Sequence, residues 1–142
     1  MLYFDTILLE KHEAQKRFID VRAQTEKLTL YISPEDAQIQ SMPDVSPTKW
    51  HLGHTTWFWE TFLLKPYYSK YKPYDENFHY ILNSYYNGEG KQFPKEQRGF
   101  LSRPLLEDFL NYRMQVSDNV LRLLDTKENN KDWENILKIL DL

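Results

Sequence analysis

The sequence predicts an all-α protein, an antiparallel bundle of four principal helices folded as one domain over residues 1–142. Three observations predict it. Apolar residues recur at helical spacing in the segments after Ser102-Arg103-Pro104 and after Asn130. Prolines and a glycine pair punctuate the chain between helical segments, and no stretch alternates apolar with polar residues as a half-buried strand would.

The first helix is read from about Phe4 to Tyr31, a run without Gly or Pro that is rich in Glu, Lys, Gln, Ala and Leu. Its apolar stripe passes through Ala14, Phe18, Val21 and Leu28. Ser33-Pro34 stops it, and the segment to Val45 reads as a loop holding one short turn. Ser46-Pro47 restarts the helix, with Ser46 as N-cap and Pro47 at the first helical position, and the apolar run extends to about Leu64 before Pro66 ends it. A Tyr-, Lys- and Pro-rich connection follows from Tyr67 to Asn77. Phe78 to Tyr86 reads as a short helix closed by Asn87-Gly88-Glu89-Gly90, and KQFPKEQRGFLS as an ordered loop. Leu105, Phe109, Tyr112, Val116, Val120 and Leu124 mark the third principal helix. After a polar break at Asp125–Asn130, Trp133, Ile136, Leu137 and Leu140 mark the fourth. That helix reaches Leu142 with no Gly or Pro stop, so it is read as cut short.

Composition narrows the function classes. A formal charge of -3, from 21 acidic and 18 basic residues mixed along the chain, supplies no basic block for phosphates, so nucleic acid is not an expected partner. No apolar segment approaches the ~18 residues of a membrane span, and MLYFDTILLEKHE lacks the apolar run of a signal peptide. The absence of cysteine rules out thiolate metal sites and points to the cytoplasm, leaving histidine and carboxylate as ligands for any transition metal. An aromatic fraction of 15% either fills a core or lines a ligand cavity.

WHLGHTTWFWE, residues 50–60, places His51 and His54 one helical turn apart. At 100° per residue, His54 lies mid-face with Trp50, Trp57, Phe58 and Thr61, and His51 is about 60° away, so both can look inward. Two readings stay open: metal ligation inside an aromatic wall, or buried imidazoles satisfied by a carbonyl or a tyrosine hydroxyl. A working site needs about three protein ligands. The other histidines are His12, read as a solvated surface residue, and His79, read as making an ordinary polar contact; Glu60, Asp108 and Asp118 are read as solvated charges or caps. NSYYNGEG offers amides and phenols for a polar ligand, or tyrosines for packing. RGFLSRP carries Arg98 and Arg103, two guanidiniums able to clamp a carboxylate or to remain solvated beside a Ser102 cap.

Taken in order and spacing, SPTKWHLGHTTWFWETFLL, NSYYN with Gly90 after it, and RGFLSRP followed by NYRMQV resemble the N-terminal helical domain of the ergothioneine-type sulfoxide synthases. Those are non-haem iron enzymes in which a DinB-like four-helix bundle is fused to a formylglycine-generating-enzyme-like domain. The resemblance runs from about Leu28 to the end. It implies an iron(II) centre held by three histidines, the first of which maps onto His54, with the other two in a His-x-x-x-His pair on the last helix. No such pair occurs in this sequence, which ends at Leu142 roughly where the family continues into that motif, and the second domain is missing. The family uses oxygen to join a thiol, such as cysteine or gamma-glutamylcysteine, to trimethylhistidine as a sulfoxide. Arg98 and Arg103 are the implied binders of the thiol substrate's carboxylates. One imidazole does not retain iron(II), so the chain alone is not expected to catalyse the reaction. Two alternatives stand beside this reading. One is a non-catalytic module that self-associates into a homo-oligomer through exposed aromatic surface. The other is a stand-alone DinB-like thiol transferase whose metal is completed by His51, His79 or a second subunit.

Overall fold

From Leu2 to Leu28 nothing interrupts the helical ladder, and the chain forms one helix of 27 residues, α1. The computed structural model describes residues 2–142, with side chains described at 6–126 and 130–142. The face of α1 that enters the core is Ile7, Lys11, Ala14, Phe18 and Arg22, spaced by four and three residues as the 3.6-residue period requires. Ala14 and Phe18 were expected there. Val21 and Leu28 were expected too, but they are 62% and 75% exposed and Arg22 takes the inward position. Residue 22 continues the line of 14 and 18, and its polar end finds partners inside, so polarity did not exclude it.

Ser33 caps a short α2, Pro34–Gln38: its hydroxyl accepts from the Asp36 N–H at 3.1 Å, while the Asp36 carboxylate accepts from the Ser33 N–H at 3.3 Å. The second principal helix, α3, spans Thr48–Trp59. The expected cap by Ser46 is not formed, because its hydroxyl accepts instead from the Arg98 guanidinium at 2.8 Å, a charge-assisted bond. The Pro47 carbonyl begins the ladder, accepting from the N–H groups of Trp50 and His51. Past Trp59 the helix widens into a π turn, Glu60–Leu64, and ends in α4, Lys65–Tyr67. Pro66 has no N–H to extend the ladder, and the chain leaves the helix at Tyr68.

A long crossover follows. It holds α5, Asn77–Leu82, and 3₁₀ turns at Asn87–Glu89 and Lys95–Phe100. The short helix expected to reach Tyr86 stops at Leu82, where the buried Asn83 amide donates to the carbonyls of Tyr86 and Gly90 and Tyr85 adopts φ 66°. The last two helices are α6, Leu106–Asp125, and α7, Trp133–Leu140, with a 3₁₀ turn, Lys127–Asp132, between them. Asp108 caps α6 by accepting from the Leu105 N–H at 2.7 Å. Phe109, Tyr112, Val116, Val120 and Leu124 are buried as their spacing predicts, whereas Leu105, read on the same stripe, is the N-cap and is 41% exposed.

Side-chain pairs give the directions. Lys11 reaches the Thr126 carbonyl, Gln15 reaches Asp125 and Arg22 reaches Ser117, so α1 and α6 are antiparallel. Phe18 packs on Trp59 and Arg22 bonds Thr56, so α1 and α3 are antiparallel as well. Trp133 bonds Glu10 and Arg17 pairs with Asp141, which sets α7 parallel to α1. The result is an all-α antiparallel bundle in which α1 and α7 oppose α3 and α6. Lys49 bonds the carbonyls of Leu101 and Pro104 while Arg113 bonds Leu52 and Thr55, so α3 and α6 run alongside each other. Two neighbours of one direction need a returning connection, and the crossover is that connection. It brings NSYYN and RGFLSRP to the face of α3 that carries His54.

Candidate functional site

His54 projects from α3 and is half-buried. Its Nδ1 lies 2.7 Å from the Leu82 carbonyl oxygen. A carbonyl can only accept, so the proton sits on Nδ1 and Nε2 keeps its lone pair. This is the tautomer and the backbone orienting contact that a metal-ligating histidine needs. The ring is stacked between Trp50, at 4.6 Å and 12° from parallel, and Trp57, at 5.6 Å and 16°. The Arg98 guanidinium lies 3.6 Å from the centre of the Trp50 ring. Burial holds the His54 pKa below the ordinary 6.5, against the opposing pull of the Leu82 hydrogen bond, and the charge of Arg98 adds to the lowering. At neutral pH the imidazole is a neutral donor.

The other histidines are placed differently. His51 was allowed an inward position but is exposed; its ring meets Trp50 edge-on at 5.5 Å, and partial burial followed by the Arg98 charge lowers its pKa. His79 has both nitrogens occupied: Trp57 Nε1 donates to Nδ1 at 3.1 Å, and Nε2 donates to the Glu89 carbonyl at 2.6 Å. That is the polar contact expected of it. His12 is exposed on α1, as expected.

Of the carboxylates, Asp118 is exposed and Asp108 is a cap. Glu60 is not the solvated charge or cap it was read as. It is 1% exposed in the π turn, accepts from the Tyr71 hydroxyl, and receives the Tyr74 N–H at 3.4 Å. The wider turn directs it at these groups on the crossover rather than at water. Among the described residues, no three His, Cys, Asp or Glu side chains come together to hold a metal ion. His54 fits the part of a single donor, but the donor set of this chain does not fit an iron(II) cage.

Arg98 and Arg103 are not paired across one cavity. Arg98 is 3% exposed, with Nη1 on Ser46 and Nε without a partner, and burial lowers its pKa. Arg103 is exposed and borders a separate hollow with Phe93 and Asp108. Neither lines the cavity beside His54, which has a volume of about 660 Å³ and is walled by α1, α3, Tyr86 and the end of α7. Within NSYYN, Asn83 and Ser84 are buried, Tyr85 is exposed, and Tyr86 packs on Phe62 at 4.9 Å while lining that cavity.

Sequence reasoning missed two residues here. Arg22 lines the cavity and Arg113 lies behind it, 1% exposed. Their guanidiniums meet at Thr56, whose hydroxyl accepts from Arg22 at 2.9 Å and from Arg113 at 3.4 Å while donating to the Leu52 carbonyl. The signal was available: Arg22 follows Ala14 and Phe18, and Arg113 follows Phe109, at core-facing intervals of four.

No curated protein matches the chain. The family model of the DinB superfamily matches residues 17–138, which takes in α3, the crossover, α6 and nearly all of α7. With that match across most of the 142 residues, and with an all-helical bundle built around them, the chain belongs to the DinB superfamily.

Proposed function

We propose that this bundle is the N-terminal domain of an iron(II)- and oxygen-dependent sulfoxide synthase that joins a thiol such as cysteine or gamma-glutamylcysteine to trimethylhistidine, and that His54 is its one iron ligand within these residues. The observation that carries the reading is the His54 ring: protonated on Nδ1 toward Leu82, clamped by two tryptophans, and beside a cavity of about 660 Å³. The remaining donors come from polypeptide outside these residues. Leu140, Asp141 and Leu142 border the cavity with His54, so donors carried on from α7 would enter beside it. Of the two arginines assigned to the thiol's carboxylates, Arg98 keeps an unpartnered Nε and Arg103 an exposed guanidinium. The bundle by itself neither retains iron(II) nor performs the reaction.

The test is a titration of the metal-free chain with iron(II) without oxygen, followed by paramagnetic broadening of the histidine ring signals. Weak binding that broadens His54 first and disappears in His54→Ala is expected. Broadening centred on another histidine, or a tight site that survives His54→Ala, would refute the assignment. A second reading, a self-associating module, is favoured by the apolar side chains that α1 exposes, Leu8 at 54%, Leu9 at 65% and Val21 at 62%. It requires a dimer or larger species by sedimentation, and a strictly monomeric protein discards it.

A further inference from the structure

The cavity beside His54 also holds a charge that the metal reading leaves unused. Arg22 lines it from α1 and is 7% exposed. Its Nε donates to Ser117 at 3.1 Å, and its Nη2 donates to Thr56 at 2.9 Å and to the Arg113 carbonyl at 3.5 Å. Those three bonds turn two nitrogens into the bundle and, among the described residues, leave Nη1 without a hydrogen bond. No carboxylate pairs with this guanidinium among the described residues: Glu26 pairs with Arg113 at 3.5 Å and is 56% exposed, and Asp141 pairs with Arg17 at 2.7 Å. Burial, and then the charge of Arg113, pushes the Arg22 pKa down to about 9, which still leaves it protonated at neutral pH. The charge of Glu26 opposes this lowering only in part; a cation removed from water with no carboxylate in contact is costly, and an anion brought into the cavity would offset that cost.

Phe18, Phe58, Trp59 and Tyr86 give the wall a flat aromatic part, beside the Arg17–Asp141 ion pair, Thr25, Thr55 and His54, around a space of about 660 Å³. That volume suits a small organic ligand. We propose that the cavity is a binding site for a small aromatic monocarboxylate, its carboxylate taken by Arg22 Nη1 and its flat body packed against Phe18, Phe58 and Trp59. One guanidinium with no carboxylate in contact offers one positive charge, and the aromatic part of the wall favours an apolar body over a bare inorganic anion. The site shares its cavity with His54 but needs no metal, so it stands or falls apart from the iron reading.

The experiment is calorimetric titration of the chelator-treated protein with benzoate, with benzyl alcohol as the uncharged analogue and inorganic phosphate as the bare anion. Saturable one-to-one benzoate binding is expected, at least ~10-fold tighter than either control, as a charge-assisted hydrogen bond predicts. Arg22→Met should weaken benzoate by ~10-fold or more on the same basis. Because Arg22 is buried, Val21→Trp is the companion variant: it fills the cavity from an exposed position, keeps Arg22 in place, and should abolish binding without lowering the melting temperature. Equal binding of benzyl alcohol, tighter binding of phosphate, no saturation by benzoate, or undiminished benzoate binding by folded Val21→Trp would each overturn the proposal.

Discussion

At the scale of single residues, the His54 environment is set by very short distances. Gly53, immediately before it, stands where a Cβ would lie 2.8 Å from Leu82 Cδ2 and 2.9 Å from two carbons of Phe109. Both neighbours are buried side chains with little room to retreat. Gly53→Ala is therefore expected to destabilise by about 1–3 kcal/mol through overpacking, read by urea unfolding, and a stability equal to the parent's would show that the Leu82 contact is slack. The lowered pKa of His54 has a sign that can be checked. Its stabilising contribution is complete above the unfolded value of 6.5 and is lost as the pH falls from 6.5 through the lowered folded value. NMR titration should place its midpoint below 6.5, and a midpoint above it would contradict the burial of the ring. The serine and tyrosines of NSYYN show how chemistry hidden in one motif separates in space: Ser84 is buried, Tyr85 faces solvent, and Tyr86 turns to the cavity.

At the scale of elements, the π turn Glu60–Leu64 interrupts the α-helical ladder and holds a buried carboxylate. π turns mark places where a side chain must be re-aimed at some cost to the ladder. Here the re-aimed group is Glu60, which joins α3 to the crossover through Tyr71 and through the Tyr74 backbone. Burial, and then the Glu60 hydrogen bond, raises the Tyr71 pKa well above its ordinary 10. A raised phenol contributes stability that is complete below pH 10 and is lost as the pH rises through the folded value. Tyr71→Phe should remove that alkaline dependence and cost about 1–3 kcal/mol at neutral pH, since it leaves the carboxylate short of a donor. Unfolding curves at neutral and alkaline pH check both halves, and an unchanged alkaline slope would show that Tyr71 ionises freely in the folded state. Other elements were readable from pattern alone. α6 starts and ends near its expected bounds because every inward position carries an apolar or aromatic side chain, Arg113 excepted.

At the scale of the molecule, two buried arginines tie the helices together. Arg113 on α6 donates to the Leu52 carbonyl at 3.1 Å and to the Thr55 hydroxyl at 3.1 Å on α3, while Arg22 on α1 bonds Thr56 on α3 and Ser117 on α6. Three helices thus meet at one polar seam. Removing one member leaves the others unsatisfied, and groups in one network do not act additively. Arg113→Met is expected to cost about 2–4 kcal/mol. In the double variant with Thr56→Val the two losses should sum to more than the measured total, and strict additivity would argue against a shared seam.

The sequence by itself determined the helical class and the order of the principal helices, and it left His51 and His54 both able to look inward. Each of these follows from periodicity, proline punctuation or a local motif. Only the tertiary structure decided that α3 and α6 run alongside each other, that Ser46 serves Arg98 instead of capping its helix, and that Val21 yields its inward place to Arg22. The reason lies in how far each interaction reaches along the chain. Turn and period signals are carried by neighbours a few residues apart, whereas a guanidinium becomes tolerable inside a bundle only when partners some thirty to a hundred residues away, such as Thr56 and Ser117 for Arg22, arrive to bond it.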